Sequence, residues 1–275
     1  GVALARGGGA WVAAAGRAGV GWSGGAVARR GVKGGPRRRA GQGRPCGRPS
    51  HHSSGTSVRS TASAWTNRSG WRRTHGCSEA VDTAIKAARQ WGHQSKGIAE
   101  GRAEIIGCHG NFHGRTIAAT GLSTEPQYRD GFGPFPPGLL TIPYADADAL
   151  AKSITPRTAA FLVEPIQGEG GIVVPPPGYL SRCREICREH HVLLICDEIQ
   201  TGLGRAGRFL ASEYDGVKPD GVILGKALGG GLLQVSALVA KNAVMQVLHT
   251  GAHVSTFGGN HRADAVEMAA LDVLF

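Results

Sequence analysis

Lys226 lies in Leu224-Gly225-Lys226-Ala227-Leu228-Gly229-Gly230, just past the apolar run 221–224, and Asp197 closes a second apolar run, 192–196. A lysine amine attacks carbonyls in its neutral form, and an apolar setting favours that form. An aspartate delivered to the end of a buried strand carries a charge that is costly without a cationic partner. This pair is what pyridoxal phosphate requires. The amine holds the cofactor's aldehyde covalently, and the carboxylate keeps the pyridine nitrogen protonated so that the ring withdraws electrons. Once released by substrate, the same amine can move a proton between substrate carbon and cofactor carbon. Each residue also has a plainer reading: Asp197 as a loop cap or an arginine partner, Lys226 as a solvated lysine.

Further candidates surround the pair. Gln200, three residues past Asp197, can donate to the ring's phenolic oxygen. A phosphate is held well by backbone N–H groups at a helix N-terminus. Ser78 stands just before a helix expected from Glu79, where it is otherwise an N-cap with Asp82 in the capping-box neighbourhood. The Gly-rich turn Ser255-Thr256-Phe257-Gly258-Gly259-Asn260 is a second place for that phosphate. In Asn111-Phe112-His113-Gly114-Arg115-Thr116, Phe112 offers a ring to stack on the cofactor. The planar fork of Arg115 suits a carboxylate substrate, and His113 is either a substrate-side group or a polar loop residue.

The elements that must position these residues follow from hydrophobic periodicity. Residues 80–91 carry Val81, Ala84, Ile85, Ala88 and Trp91 at helical spacing. Strands are expected at 103–108, 159–166, 192–196, 221–224 and 235–240, with helices at 179–190 and 263–274. Fully apolar strands alternating with helices describe an α/β domain with a largely parallel sheet, whose ligands gather at strand ends. Asp197 and Lys226 fall at such ends.

Composition divides the chain near residue 77. Residues 1–77 hold 14 of the 31 Lys and Arg, 18 of the 44 Gly and none of the 20 Asp and Glu. The net charge of +11 therefore resides in that segment, and residues 78–275 are slightly acidic. A basic segment of this kind raises the alternative of a nucleic-acid-binding protein with an inert enzyme-like body. Aromatic interleaving is sparse there, limited to Trp11, Trp22, Trp65 and Trp71. The six cysteines form no C-x-x-C pair and no metal-like spacing, as expected of reduced intracellular thiols. No apolar stretch reaches the roughly 20 residues of a membrane span, and no signal peptide is visible, so a cytoplasmic protein is expected. The Arg- and Ser-rich beginning resembles a mitochondrial transit peptide in composition only.

Seven ordered motifs together resemble the class III aminotransferases. They are 79–86 (EAVDTAIK), 111–116 (NFHGRT), 130–135 (DGFGPF), 164–169 (EPIQGE), 197–202 (DEIQTG), the Lys226 segment and 255–260 (STFGGN). The resemblance covers about residues 78–275. It implies a fold-type I pyridoxal phosphate enzyme whose large domain is a mostly parallel sheet flanked by helices. The implied enzyme is a homodimer that moves the δ-amino group of ornithine to 2-oxoglutarate, with acetylornithine or another ω-amine as the alternative donor. By motif, Lys226 is then the cofactor lysine, Asp197 the partner of the ring nitrogen, Gln200 that of the phenolic oxygen and Phe112 the stacking ring. Ser78 holds the phosphate with Thr256 of a second subunit, Arg115 binds the oxo-acid carboxylate, and Glu169 is a gating glutamate that pairs with an arginine of the small domain. Departures are visible: Cys77 replaces a phosphate-loop glycine, His261-Arg262 replaces Pro-Leu, and the expected small domain is truncated at Phe275. Residues 18–77 have the family's spacing without its content or its substrate-selecting tyrosines. A shifted reading frame would explain this, with a disordered basic extension as the alternative. The chain as written is accordingly expected to be impaired as an enzyme.

Overall fold

The computed structural model describes residues 69–249 and 251–274, all within the unit that runs from His51 to Phe275. The basic stretch up to Arg68 lies outside the described residues. The strands are β1 (Ser69–Thr74), β2 (Glu104–Cys108), β3 (Leu139–Ile142), β4 (Thr158–Val163), β5 (Leu193–Asp197), β6 (Gly221–Leu224) and β7 (Ser236–Lys241). The longer helices are α1 (Cys77–Gln94), α2 (Tyr179–Glu189) and α3 (His261–Leu274). The strands form one sheet in the order β1-β7-β6-β5-β4-β2-β3. Pairings from β3 to β6 are parallel, and β7 is antiparallel to both β6 and β1.

Alternation along the central strands divides their side chains between two covered faces. Ile105, Leu162, Leu193 and Ile195 pack with Ala80, Val81, Ala84 and Ile85 of α1. Their neighbours Ile106, Phe161, Leu194 and Cys196 pack with Leu180, Cys183, Ile186 and Cys187 of α2. Every residue of β4 and β5 is buried, which is why both read as continuous apolar runs. A third cluster joins Val222, Leu224, Ala237 and Val239 of β6 and β7 to Leu228 and Ala263.

One strand carries no assignment in the sequence reading: Ser69–Thr74 pair with β7 in register from Ser69↔Lys241 to Thr74↔Ser236. Helix α1 begins at Cys77 rather than Glu79, with Gly76 as its N-cap residue. Ser78 is therefore inside the first turn. The capping carboxylate is Glu79, whose Oε2 accepts the N–H groups of His75 at 2.7 Å and Gly76 at 3.2 Å. Asp82 is engaged elsewhere, its Oδ1 accepting from Thr116 Oγ1 at 2.8 Å.

Candidate active site at the carboxyl ends of the parallel strands

A cavity of about 110 Å³ opens where the central strands end. Its walls come from five places in the chain: the first turn of α1 (Cys77, Ser78), the loop after β2 (Phe112 to Arg115), Glu164 after β4, the segment ending β5 (Asp197, Ile199, Gln200), and Lys226 after β6. Parallel strands pointing the same way deliver these segments to one edge of the sheet. Register sets their relation, since Asp197 pairs with Ile223, three residues before Lys226. A second hollow of about 460 Å³ shares Cys77 and Lys226 with the first.

At the floor, Asp197 is 4% exposed. One carboxylate oxygen accepts the Ile199 N–H at 3.1 Å, and the other meets His113 Nδ1 at 2.8 Å. With Asp197 accepting on both oxygens, the proton of that contact belongs to His113 Nδ1. His113 is wholly buried, and among the described residues its Nε2 has no partner. Burial alone would lower the imidazole's pKa, but the hydrogen bond to Asp197 and the charges of Asp197 and Glu164 raise it above its usual value of 6.5. The sheet order brings the His113 ring down against the strand end, where its Nδ1 meets the Asp197 carboxylate.

Glu164, also 4% exposed, was read from the sequence only as part of a motif. Its Oε1 accepts the Phe112 N–H at 2.8 Å and its Oε2 the Gly168 N–H at 3.2 Å. Burial raises its pKa, opposed by the charge of His113 and by these hydrogen bonds. A glutamate before a proline in a loop carries no local signal of this role, because its partner Phe112 lies 52 residues away in the loop after β2.

Lys226 follows β6 as the first residue of a 3₁₀ turn, with φ of +42°. A desolvated amine was expected there, but the side chain is exposed, because the turn lifts it above the strand end to the cavity rim. Phe112 is half-buried, edge-on to Tyr128 with 5.7 Å between ring centroids. The Arg115 guanidinium lies over the Tyr128 ring at 4.1 Å and over Phe112 at 5.3 Å, leaving its fork toward solvent. Ser78 Oγ touches the loop near Gly114, which adopts φ of +120° in a place where a Cβ would collide with that oxygen. The N–H groups of Cys77 and Ser78 lie in the first turn of α1, where they have no intrahelical partner. Gln200 packs its amide against Gly168.

Two expected site residues do not join this cavity. Glu169 is exposed, with no ion pair among the described residues, and Thr256 is exposed on a turn that lies against Arg73 through Gly258.

With this geometry in hand, comparison with known proteins is informative. Residues 58–275 match the family model for aminotransferase class-III. The ornithine aminotransferase of an Exiguobacterium species is 56% identical over 197 residues, covering 72% of this chain and 49% of that protein. The crystal structure of the ornithine aminotransferase from Toxoplasma gondii ME49 superposes with a TM-score of 0.76 at 47% identity, over 80% of this chain and 52% of that one. An acetylornithine aminotransferase from Elizabethkingia anophelis is similar at a TM-score of 0.67 and 47% identity, over 79% of this chain and 53% of that one. The chain spans about half the length of the curated relatives it matches.

Proposed function

Since the chain belongs to the class III aminotransferase family, we propose that its cavity holds pyridoxal phosphate for transfer of the δ-amino group of ornithine to 2-oxoglutarate. The observation that carries this reading is the buried Asp197, His113 and Glu164 group. Asp197 lines the cavity as a buried acceptor, and among the described residues His113 Nε2 has no partner. A ligand with a protonated ring nitrogen suits the buried Asp197 carboxylate. The cofactor's phosphate suits the free N–H groups in the first turn of α1, beside Ser78.

When bound, the cofactor supplies the aldehyde that takes up the amino group and the ring that withdraws electrons. The chain's own residues do the rest. Asp197 holds the proton on the ring nitrogen, while its hydrogen bond from His113 Nδ1 fixes the carboxylate's direction. Lys226 Nζ, exposed at the rim, is free to hold the aldehyde and then to carry the proton between carbons. Phe112 would cover one face of the ring, Gln200 would orient the phenolic oxygen, and Arg115, its guanidinium 4.1 Å from the Tyr128 ring centroid, would receive the oxo-acid carboxylate. Thr256, away from its own chain's cavity, serves the phosphate of a second subunit in a homodimer. Glu169 is free to act as a gate by pairing with an arginine.

Borohydride reduction of the cofactor-loaded chain, followed by peptide mapping, should place the cofactor on Lys226. Label on another lysine, or none, would refute the reading. A second donor, acetylornithine, is favoured by the equal 47% identity to the Elizabethkingia anophelis enzyme. Comparing the two amines as donors to the loaded protein decides between them.

A further inference from the structure

Strand β4 lies between β2 and β5 in the sheet, so the loop after β2 reaches Asp197 only by passing over the end of β4. Glu164 is the residue at that end. Its Oε1 accepts the N–H of Phe112, the neighbour of His113, and its Oε2 accepts the N–H of Gly168, against which Gln200 packs. One side chain thus joins the loop after β2 to the turn that follows β4. We propose that Glu164 is a positioning residue for Asp197, acting through His113: it anchors the loop that carries the imidazole and supplies the second negative charge facing it.

Both Glu164 oxygens accept backbone N–H groups, which opposes the burial that raises its pKa. The groups that face His113 are Asp197 at the end of β5 and Glu164 at the end of β4, while Lys226 after β6, Arg115 from its own loop and Cys77 from α1 complete the titratable and charged lining. Both nearest groups are anions. They oppose the desolvation that would otherwise favour a neutral ring, and the net direction for His113 is upward. Removing Glu164 leaves Asp197 alone against that desolvation. An opposite charge a few ångströms away shifts a buried group by roughly one to three pH units, so loss of one of two anions should lower proton affinity about tenfold or more.

The inference rests on Asp197 as the partner of the ring nitrogen, but its test needs no cofactor. In the cofactor-free chain labelled with ¹⁵N-histidine, the His113 signals, assigned by their loss in His113→Asn, are followed against pH. The wild-type imidazole should titrate above 6.5 with its proton retained on Nδ1, and in Glu164→Gln the midpoint should fall by about one unit or more. A wild-type midpoint at or below 6.5 overturns the proposal without recourse to any variant. An unchanged midpoint in a Glu164→Gln chain with native far-UV circular dichroism also overturns it. Failure of the cofactor reading would appear separately, as absence of borohydride-fixed label on Lys226 with the His113 titration intact.

Discussion

Asp220, just before β6, ties together the strands that carry the two central site residues, and Asp220→Asn should loosen them. One carboxylate oxygen accepts Arg184 Nη1 of α2 at 2.5 Å and the Leu194 N–H of β5 at 2.9 Å, while the other accepts Lys241 Nζ of β7 at 2.6 Å. Asp220 is 7% exposed. Removing one partner of a buried ion pair costs about 3–5 kcal/mol. Asparagine retains an acceptor for Leu194, and Lys241, half exposed, can return to water, so a loss of about 2–3 kcal/mol is expected here. Urea denaturation followed by far-UV circular dichroism at pH 7 measures it. Acid gives a second arm. Burial alone would raise the Asp220 pKa, but Arg184, Lys241 and the Leu194 N–H hold it below its usual 3.8. A carboxyl whose folded pKa is depressed contributes fully above its unfolded value, about 3.9, and loses that contribution as pH falls through the lower folded value. The gap between wild type and variant should therefore be constant near neutrality and close only in strong acid. A loss under about 0.5 kcal/mol at pH 7, the range of ordinary surface changes, would refute the reasoning, as would a gap that widens on acidification.

Two further outcomes are expected. Gly114→Ala should lower the urea midpoint, because φ of +120° strains any residue with a Cβ by roughly 1–3 kcal/mol and that Cβ would meet Ser78 Oγ; an unshifted midpoint contradicts the geometry. Arg115→Lys should weaken 2-oxoglutarate binding to the cofactor-loaded chain by about tenfold in calorimetry, since lysine loses both the bidentate fork and the stacking on Tyr128; equal affinity would assign the carboxylate to another group.

What the sequence revealed of this fold depended on where each strand sits in the sheet. The interior strands β4, β5, β6 and β7 are covered on both faces and appear as apolar runs, within a residue of their observed ends except that β4 stops three residues before the expected 166. The two strands that escaped are the two edges, β1 and β3. Ser69–Thr74 places two arginines in succession, and Leu139–Ile142 has one buried residue in four. An edge strand is held by backbone pairing to a single neighbour, and that pairing leaves little mark on side-chain hydrophobicity.

The same physics separates the legible part of the site from the rest. Asp197 and Lys226 stand out because each follows an apolar run that could only be a buried strand, so their chemistry could be argued before any contact was known. The partners that define the surroundings of Asp197 are distant in sequence: His113 is 84 residues away, and Glu164 meets Phe112 across 52. Those contacts arise from the spatial sequence β5-β4-β2, in which β4 lies beside β2 although β3 comes between them in the chain. A carboxylate at the end of a buried strand announces that it needs a cation, but only the topology says which one arrives. Here the sheet supplies an imidazole over the end of β4, with a second carboxylate beneath its loop. The exposed Lys226 follows from the same arrangement, because the 3₁₀ turn after β6 carries it out of the apolar surroundings that made it conspicuous.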